Sequence, residues 1–273
     1  MTRGVLKRNT HGSALVRMGD TQILAGTTLL VGQPRGDKDA GDVTVSYSHS
    51  YTSNTTKRPT AANSSTTAAW ISNLLQNTLD RTRLSIVPGK AAWRIHITLQ
   101  ILNDAGNVTD ASLLAALTAL QDTTLPPTQL NTDGIVEIVG TDDDANDGDQ
   151  MMEEASNNMK SNNNANNSNG QRLELKRLPI PLTMGLYSSS STTAGEATCA
   201  VHLLADPTRQ EEPILSGKIT IVVALDPSAE ADPANVVYMR HAAKVPIGRE
   251  ELEMAVRMAE GRAEHVSKTM ATL

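Results

Sequence analysis

Asp206, Glu211 and Glu212 form the sharpest chemistry-bearing cluster in the chain. Asp206 and Glu212 stand six apart, just past the end of an extended run. Two carboxylates at that spacing can hold a magnesium ion or work as an acid–base pair. The competing reading is a solvated acidic turn capped by Asp206 and Pro207, and spacing alone favours the turn. The six histidines, His11, His49, His96, His202, His241 and His265, show no HxH or HExxH clustering. Structural or surface roles are the default for them. Cys199 is the single cysteine and has no His–Asn signature nearby, which suits a buried inert thiol. Gly32 to Gly41 lacks both the Lys-Ser/Thr ending of a P-loop and the dinucleotide spacing. Short basic pairs at Lys7/Arg8, Lys57/Arg58, Arg81/Arg83 and Lys90/Arg94 can contact phosphates. Taken singly, each reads as an ordinary solvated face.

Composition bounds what such residues can do. The chain has 273 residues, 39% of them hydrophobic, so it is long enough for a real core. Aromatic residues make up only 2%, and phenylalanine is absent. The core must be built from Leu, Ile, Val, Ala and Met, and nucleic-acid binding through many aromatic stacking platforms is disfavoured. The net charge of −6 does not suit a free-standing basic DNA-binding domain. One cysteine excludes an internal disulfide framework and Cys-rich zinc modules, and a reducing compartment fits best. No apolar run is long enough for a membrane-spanning helix, and the first residues do not read as a secretory signal.

Three blocks must position the candidate residues. In the first, about Gly12 to Pro127, Gly19-Asp20 separates two apolar-rich runs. Gly at the first central position predicts a two-residue hairpin turn between antiparallel strands. A further strand is expected at Val43–Tyr47. Ile71, Leu74, Leu75 and Leu79 predict an amphipathic helix over 68–83. Strict alternation predicts a strand over 92–102, with Trp93, Ile95, Ile97, Leu99 and Ile101 on one face. Asp110 is the expected N-cap of a Leu/Ala helix through Leu120, stopped by Pro126-Pro127.

The second block, about Thr132 to Gln171, is polar, acidic and then Asn-rich. Disorder is expected over about 141–171, as an insert. Its seven acidic residues outnumber the chain's net of −6, so the remainder is about neutral. In the third block, strands are expected at Ala200–Ala205, Ile214–Ala224 and Val236–Arg240. Leu252, Val256, Ala259, Ala263, Val266 and Met270 then form one stripe of a long helix from about Arg249. Both ordered blocks repeat strands followed by a packed helix. The expected fold class is α+β, in two similar layered halves.

The order of these pieces resembles the RNase PH family. Gly12 to Gly26 is similar to that family's opening hairpin. Pro88 to Trp93, the strand after it, Asn103 to Ser112 and the Leu/Ala helix are similar to its next segment. His202 to Glu212, with Gly217 to Val223, is similar to its third. The resemblance covers both ordered blocks. It implies a single RNase PH-like domain over 1–273 (the ribosomal protein S5 domain 2-like fold), interrupted by the insert. The family's basic, Asp-Gly-Arg-containing segment before the first hairpin has no counterpart here, which suggests a truncated or divergent start.

Within the family, Ala205 to Thr208 with Glu211-Glu212, and the Gly-Asn-x-x-Asp-Ala run, resemble the non-catalytic ring subunits of the eukaryotic exosome. Catalytic members carry a phosphate-gripping Arg in the turn before the second helix and a pair of Asp six apart in the third block. By resemblance the Arg position is Val108, and the Asp pair maps onto Asp206 and Glu212. An isopropyl group cannot bind a phosphate oxygen, which implies a degenerate site with no catalytic residue, no metal and no cofactor.

The implied role is to sit in a six-member ring of RNase PH-like subunits beside S1/KH cap subunits. The ring passes single-stranded RNA to a separate 3′→5′ nuclease for rRNA maturation and RNA degradation. The implied locations are nucleus, nucleolus and cytoplasm, with no membrane partner. Lys57, Arg58, Arg81 and Arg83 flank the first helix and are the expected RNA contacts. The alternative function is a phosphorolytic 3′→5′ exoribonuclease using Asp206 and Glu212 with magnesium. A plain protein-interaction module is a third reading.

Overall fold

In the computed structural model, the described residues are 1–6, 8, 10–34, 40–48, 61–131, 136–138, 170–173, 175, 177–193, 196–226 and 234–272. Lys57, Arg58 and His49 lie outside them, as does nearly all of the expected disordered insert. Among the described residues no helix is long and apolar enough to cross a membrane.

The first sheet is built from β1 (Thr2–Arg3), β2 (Gly12–Met18), β3 (Thr21–Gly32), β4 (Asp42–Ser48), β5 (Ser85–Val87) and β6 (Ala91–Asn103). The main path runs β1-β2-β3-β6-β4, and β5 pairs with β6. The β2–β3 hairpin turns at Gly19, whose φ of 55° is the positive angle that such a turn requires at its first central residue. β4 runs parallel to β6, so the chain must cross over between them. The crossover carries α1 (Ala61–Thr78). Trp93, Ile95, Ile97 and Leu99 are buried on one face of β6, as the alternation demands. Ile101 is only half-buried near the strand end.

α1 begins and ends earlier than its apolar spacing predicts. Asp80 accepts hydrogen bonds from Thr82 N (3.4 Å) and Thr82 Oγ1 (2.5 Å), which favours a 3₁₀ turn over Arg81–Leu84. Arg81 and Arg83 therefore sit on that turn and not on the helix. The next helix, α2 (Val108–Asp122), also starts earlier than expected. Asn107, in the left-handed region at φ 48°, is its N-cap, and Asp110 lies inside its first turn.

β7 (Thr124–Leu125) follows α2 and pairs with β10 (Gln171–Arg172). β8 (Thr128–Leu130) pairs with β9 (Val136–Ile138). β9 and β10 are short strands inside the span read as irregular. They are too brief to leave an alternating pattern.

The second sheet contains β11 (Leu178–Thr193), β12 (Glu196–Ala205), β13 (Gly217–Leu225) and β14 (Ala234–Ala243), in the order β12-β11-β13-β14. β11 escapes the sequence pattern because Pro179 and Pro181 interrupt it. β12 reaches only as far as Met184, so both prolines lie where a missing N–H breaks no ladder bond on that side. β13 starts at Gly217 and not at Ile214, because Glu212–Ile214 forms a 3₁₀ turn around Pro213.

α3 (Arg249–Ala271) packs across β11 and β13. Ala255, Ala259, Ala263, Val266 and Met270 are buried. Val256 and Leu252, expected on the buried face, are only half-buried, because small alanines form the line of closest approach to the sheet. The two sheets and three helices share one continuous apolar core. α2 sits at its centre against β2, β3 and β11, and is buried from Asp110 to Leu120.

Candidate functional site

Asp110 is the buried keystone of the candidate site. At Thr183 the pairing side of β11 runs out of strand partner, and Asp110 supplies one. Its Oδ2 accepts from Thr183 N (2.7 Å) and its Oδ1 from Thr183 Oγ1 (2.6 Å). Burial pushes its carboxyl above the usual carboxylate range, opposed by the Thr183 and Asn107 hydrogen bonds.

Asn107 then connects three acidic groups. Its Nδ2 donates to Asp110 Oδ2 (3.0 Å) and Asp206 Oδ1 (2.7 Å), and its backbone N–H reaches Glu212 Oε1 (3.4 Å). Asp206 adopts φ 54° at the end of β12, where its N–H is held by Thr183 O (3.1 Å). The following loop lies directly on Gly106. A Cβ there would stand 2.5 Å from Arg209 N and 2.7 Å from Pro207 O, and the φ of 118° also requires glycine. Arg209 N donates to Ala105 O (2.7 Å), and its guanidinium pairs with Asp104 (3.3 Å).

The structure places Val108 and Glu212 on one cavity, with Asp206 joined to them through Asn107. Their electrostatics differ from a bare acidic pair. Glu212 Oε1 is paired with Lys218 Nζ at 2.7 Å, and Asp206 is held by an amide. Glu211 faces another way. It accepts from Thr208 N and Oγ1, both at 2.8 Å, and the backbone bond foremost holds its carboxyl below the usual range. Among the described residues, no three His, Cys, Asp or Glu side chains gather as a metal site requires.

A cavity of about 380 Å³ opens beside these groups, between α1, the start of α2 and the second sheet. Val108 and Asn107 form its α2 wall, Trp70 its α1 wall, and Lys218, Tyr238 and Arg240 lie on the sheet. Asn107, Lys218, Arg240, Trp70 and Tyr238 were not legible as site residues. Only the αL-tolerant Asn in the Gly106-Asn107 turn carried a local signal. Arg81 and Arg83 are not part of the cavity. Arg81 Nη1 is 3.5 Å from Gly41 O, and Arg83 pairs with Asp80 at 4.0 Å.

The histidines are dispersed. His96 is held by Thr44 and Ser46 hydroxyls at 2.9 Å each, and His202 by Ser189 at 3.0 Å. Burial lowers the pKa of His11. His241 and His265 are exposed. Cys199 stands opposite Ser190 on β12, and its side chain is outside the described set.

Residues 1–126 match the family model described as 3′ exoribonuclease family, domain 1. The fold is similar to that of a chain of the Archaeoglobus fulgidus exosome with RNA bound to the active site, at a TM-score of 0.67 and 22% identity, over 98% of this chain and 85% of that one. The fold is that of the RNase PH family. Rice Rrp46 is a further structural neighbour, with a TM-score of 0.59 and 16% identity, over 99% of this chain and 91% of that one. By sequence, the exosome complex component Rrp42 of Thermococcus kodakarensis is 27% identical over 266 residues, or 93% of this chain and 83% of the relative. Rrp42 of Saccharolobus solfataricus is 32% identical over 142 residues, or 49% of this chain and 52% of the relative. The RNase PH-like first half ends just past α2, the helix that carries Asn107 and Val108.

Proposed function

We propose that the chain is a non-catalytic ring subunit of an RNA exosome. One observation carries the reading: the α2 turn beside Asp206 presents Val108, and the neighbouring Glu212 is already paired with Lys218. In-line phosphorolysis needs bound phosphate and donors for the developing charge. Val108 offers neither, and Lys218 is committed to a carboxylate. The Rrp42 names of the archaeal relatives support the ring assignment.

In this reading the chain pairs head-to-tail with other RNase PH-like subunits in a six-member ring, below S1/KH cap subunits. Single-stranded RNA passes through to a separate 3′→5′ nuclease, and rRNA maturation is among the outputs. The residue pattern favours the eukaryotic form, nearest the ribosomal RNA-processing protein forty-three type, whose sisters forty-two and forty-five share much of it. That form places the assembly in nucleus, nucleolus and cytoplasm. The chain is one RNase PH-like domain, and residues 141–171 are a dispensable insert. Lys57, Arg58, Arg81 and Arg83 contribute RNA phosphate contacts.

The test is a 3′-labelled oligoribonucleotide incubated with purified chain, magnesium and phosphate. No nucleoside diphosphate is released, and the chain co-elutes with ring partners when co-expressed. Phosphate-dependent shortening of the RNA, abolished by Asp206→Asn, would replace this reading with the phosphorolytic one.

A further inference from the structure

Arg262, on α3, is a cation whose hydrogen-bonding capacity is largely unused. A guanidinium carries several N–H donors in a rigid fork. Among the described residues the one hydrogen-bond acceptor of Arg262 is a sulfur: Nη2 lies 3.0 Å from Met18 Sδ. Its Nε is buried with no hydrogen-bond partner. Asp110 stands within Coulombic reach, but its oxygens accept from Thr183 and Asn107 instead. The Nε atoms of Arg3 and Arg94 are also without a partner. Each of those guanidiniums nevertheless donates to oxygen, Arg3 to Gln121 and Met270 and Arg94 to Gln33. A thioether is a weak acceptor, so Arg262 is the worst served of the three.

Met18 differs in turn from the other described methionines. Met184 and Met270 are sealed in the core. Met239, Met254 and Met258 are exposed and accept no hydrogen bond among the described residues. Met1 accepts only from the neutral Thr118 hydroxyl, at 3.8 Å. Met18 is half-buried, which leaves it open to a small solute, and a cation already touches its sulfur. It ends β2 at the tip of the first hairpin, whereas Arg262 lies 244 positions on, in the last helix. The contact therefore bridges the two halves of the fold. Neither residue lines the cavity beside Val108.

Oxidation changes what this contact can be. A sulfur lone pair attacks one oxygen of hydrogen peroxide, so an S–O bond forms and the O–O bond breaks. The second oxygen leaves as hydroxide and takes the proton of the first, giving water. Sulfur loses two electrons and the peroxide gains them. The product is a sulfoxide, whose oxygen is a polar acceptor. In an ordinary half-buried position that oxygen disrupts packing, because it has no donor to meet. On a sulfur 3.0 Å from Nη2 it comes within reach of a guanidinium that still has a free, buried Nε.

We propose that Met18 is a peroxide-responsive oxidation site and that Arg262 receives the sulfoxide oxygen. A weak N–H···S contact then becomes a charge-assisted N–H···O bond, which tightens the hold of α3 on the first hairpin. Thr21 pairs with Met18 across the hairpin turn and donates to Gly106 O at 2.7 Å. The tightened tie thus bears on the turn that precedes α2. Nothing in it depends on the ring reading.

The experiment treats the full chain with hydrogen peroxide, in a variant carrying Met239→Leu, Met254→Leu and Met258→Leu so that the exposed thioethers are gone. Peptide mass mapping follows Met18, and thermal unfolding is read before and after. The same chain with Met18→Leu supplies the baseline. Met18 sulfoxide is expected to form within about tenfold of the rate at Met254 in the wild-type chain. With Arg262 in place, oxidation of Met18 leaves Tm unchanged or raises it by about 2–4 °C. In Arg262→Leu, which keeps a good helix former on α3, the same oxidation lowers Tm by about 4 °C or more. Arg262→Lys retains a cation without the fork and falls between the two.

Met18 that stays reduced while Met254 is oxidised overturns the proposal. So does a fall in Tm on Met18 oxidation with Arg262 in place, or the same response in Arg262→Leu and Arg262→Lys as in the parent chain. Each of these leaves the ring reading intact, which falls only on phosphate-dependent RNA shortening.

Discussion

Asp110→Ala tests the network beneath the cavity. In the native protein this carboxylate serves Thr183 N at 2.7 Å, Thr183 Oγ1 at 2.6 Å and Asn107 Nδ2 at 3.0 Å. The Thr183 hydroxyl has a second partner in Thr220 Oγ1 at 3.0 Å, and Asn107 keeps Asp206. The Thr183 N–H has no substitute. Stranding a buried N–H costs about 1–3 kcal/mol, and two lost charge-assisted bonds add to it. Removing a desolvated charge returns part of that, so a net loss of about 2–3 kcal/mol is expected. For a domain of this size that lowers Tm by roughly 4–12 °C.

The pH dependence has a definite sign. The folded carboxyl titrates above its ordinary range because burial disfavours the ion. The folded state therefore binds more protons than the unfolded state between the two pKa values. Stability contributed by Asp110 is full below the ordinary carboxylate range and declines as pH rises through the raised value. The margin of wild type over Asp110→Asn, which cannot ionise, should be widest at acid pH and shrink towards neutrality. Denaturant unfolding of both proteins across pH 4–8 measures it. A margin that grows with pH would refute the assignment of burial as the dominant cause.

Gly106→Ala should cost at least about 2 kcal/mol, because the new Cβ meets backbone at positions 207–209 and φ stays positive; denaturant midpoints test it. Ala259→Leu should cost about 1–3 kcal/mol by overpacking the α3–sheet contact, read as a lower Tm. Replacing Lys57, Arg58, Arg81 and Arg83 with alanine should weaken RNA binding by the assembled ring and flatten its salt dependence; an unchanged slope removes these four as contacts. Deleting residues 142–169 should leave Tm within a few degrees and partner co-elution unchanged, since their composition cannot build a core.

Local pattern made much of the fold legible. The Gly19 turn, the β6 alternation and the α3 stripe each repeat a period that burial enforces. The missed elements share a different cause. β11 carries two prolines that its one-sided pairing tolerates, and that tolerance depends on where β12 stops. Asp110 looks like an N-cap by residue type, yet its partner is Thr183, 73 positions away. The site shows the same division. Asp206 and Glu212 were readable by residue type and spacing, and Val108 through family resemblance. Lys218, Arg240, Trp70 and Tyr238 were not, because only the folding of α1 against β14 brings them together.

The burial of α2 also governs how the chain can be made. Its sides from Ala111 to Leu120 are covered by strands from both halves, including β11, which is synthesised well after it. Roughly 55 residues separate the end of α2 from β11, and at about 5–20 residues per second that is a wait of several seconds. Throughout that interval a nascent chain displays an oily helix with one flank unsheathed. The long polar stretch between them lengthens the wait without offering a cover. Biogenesis of this protein is thus a race between elongation and self-association, and a chaperone that shields the helix until β11 emerges would raise the yield of soluble chain.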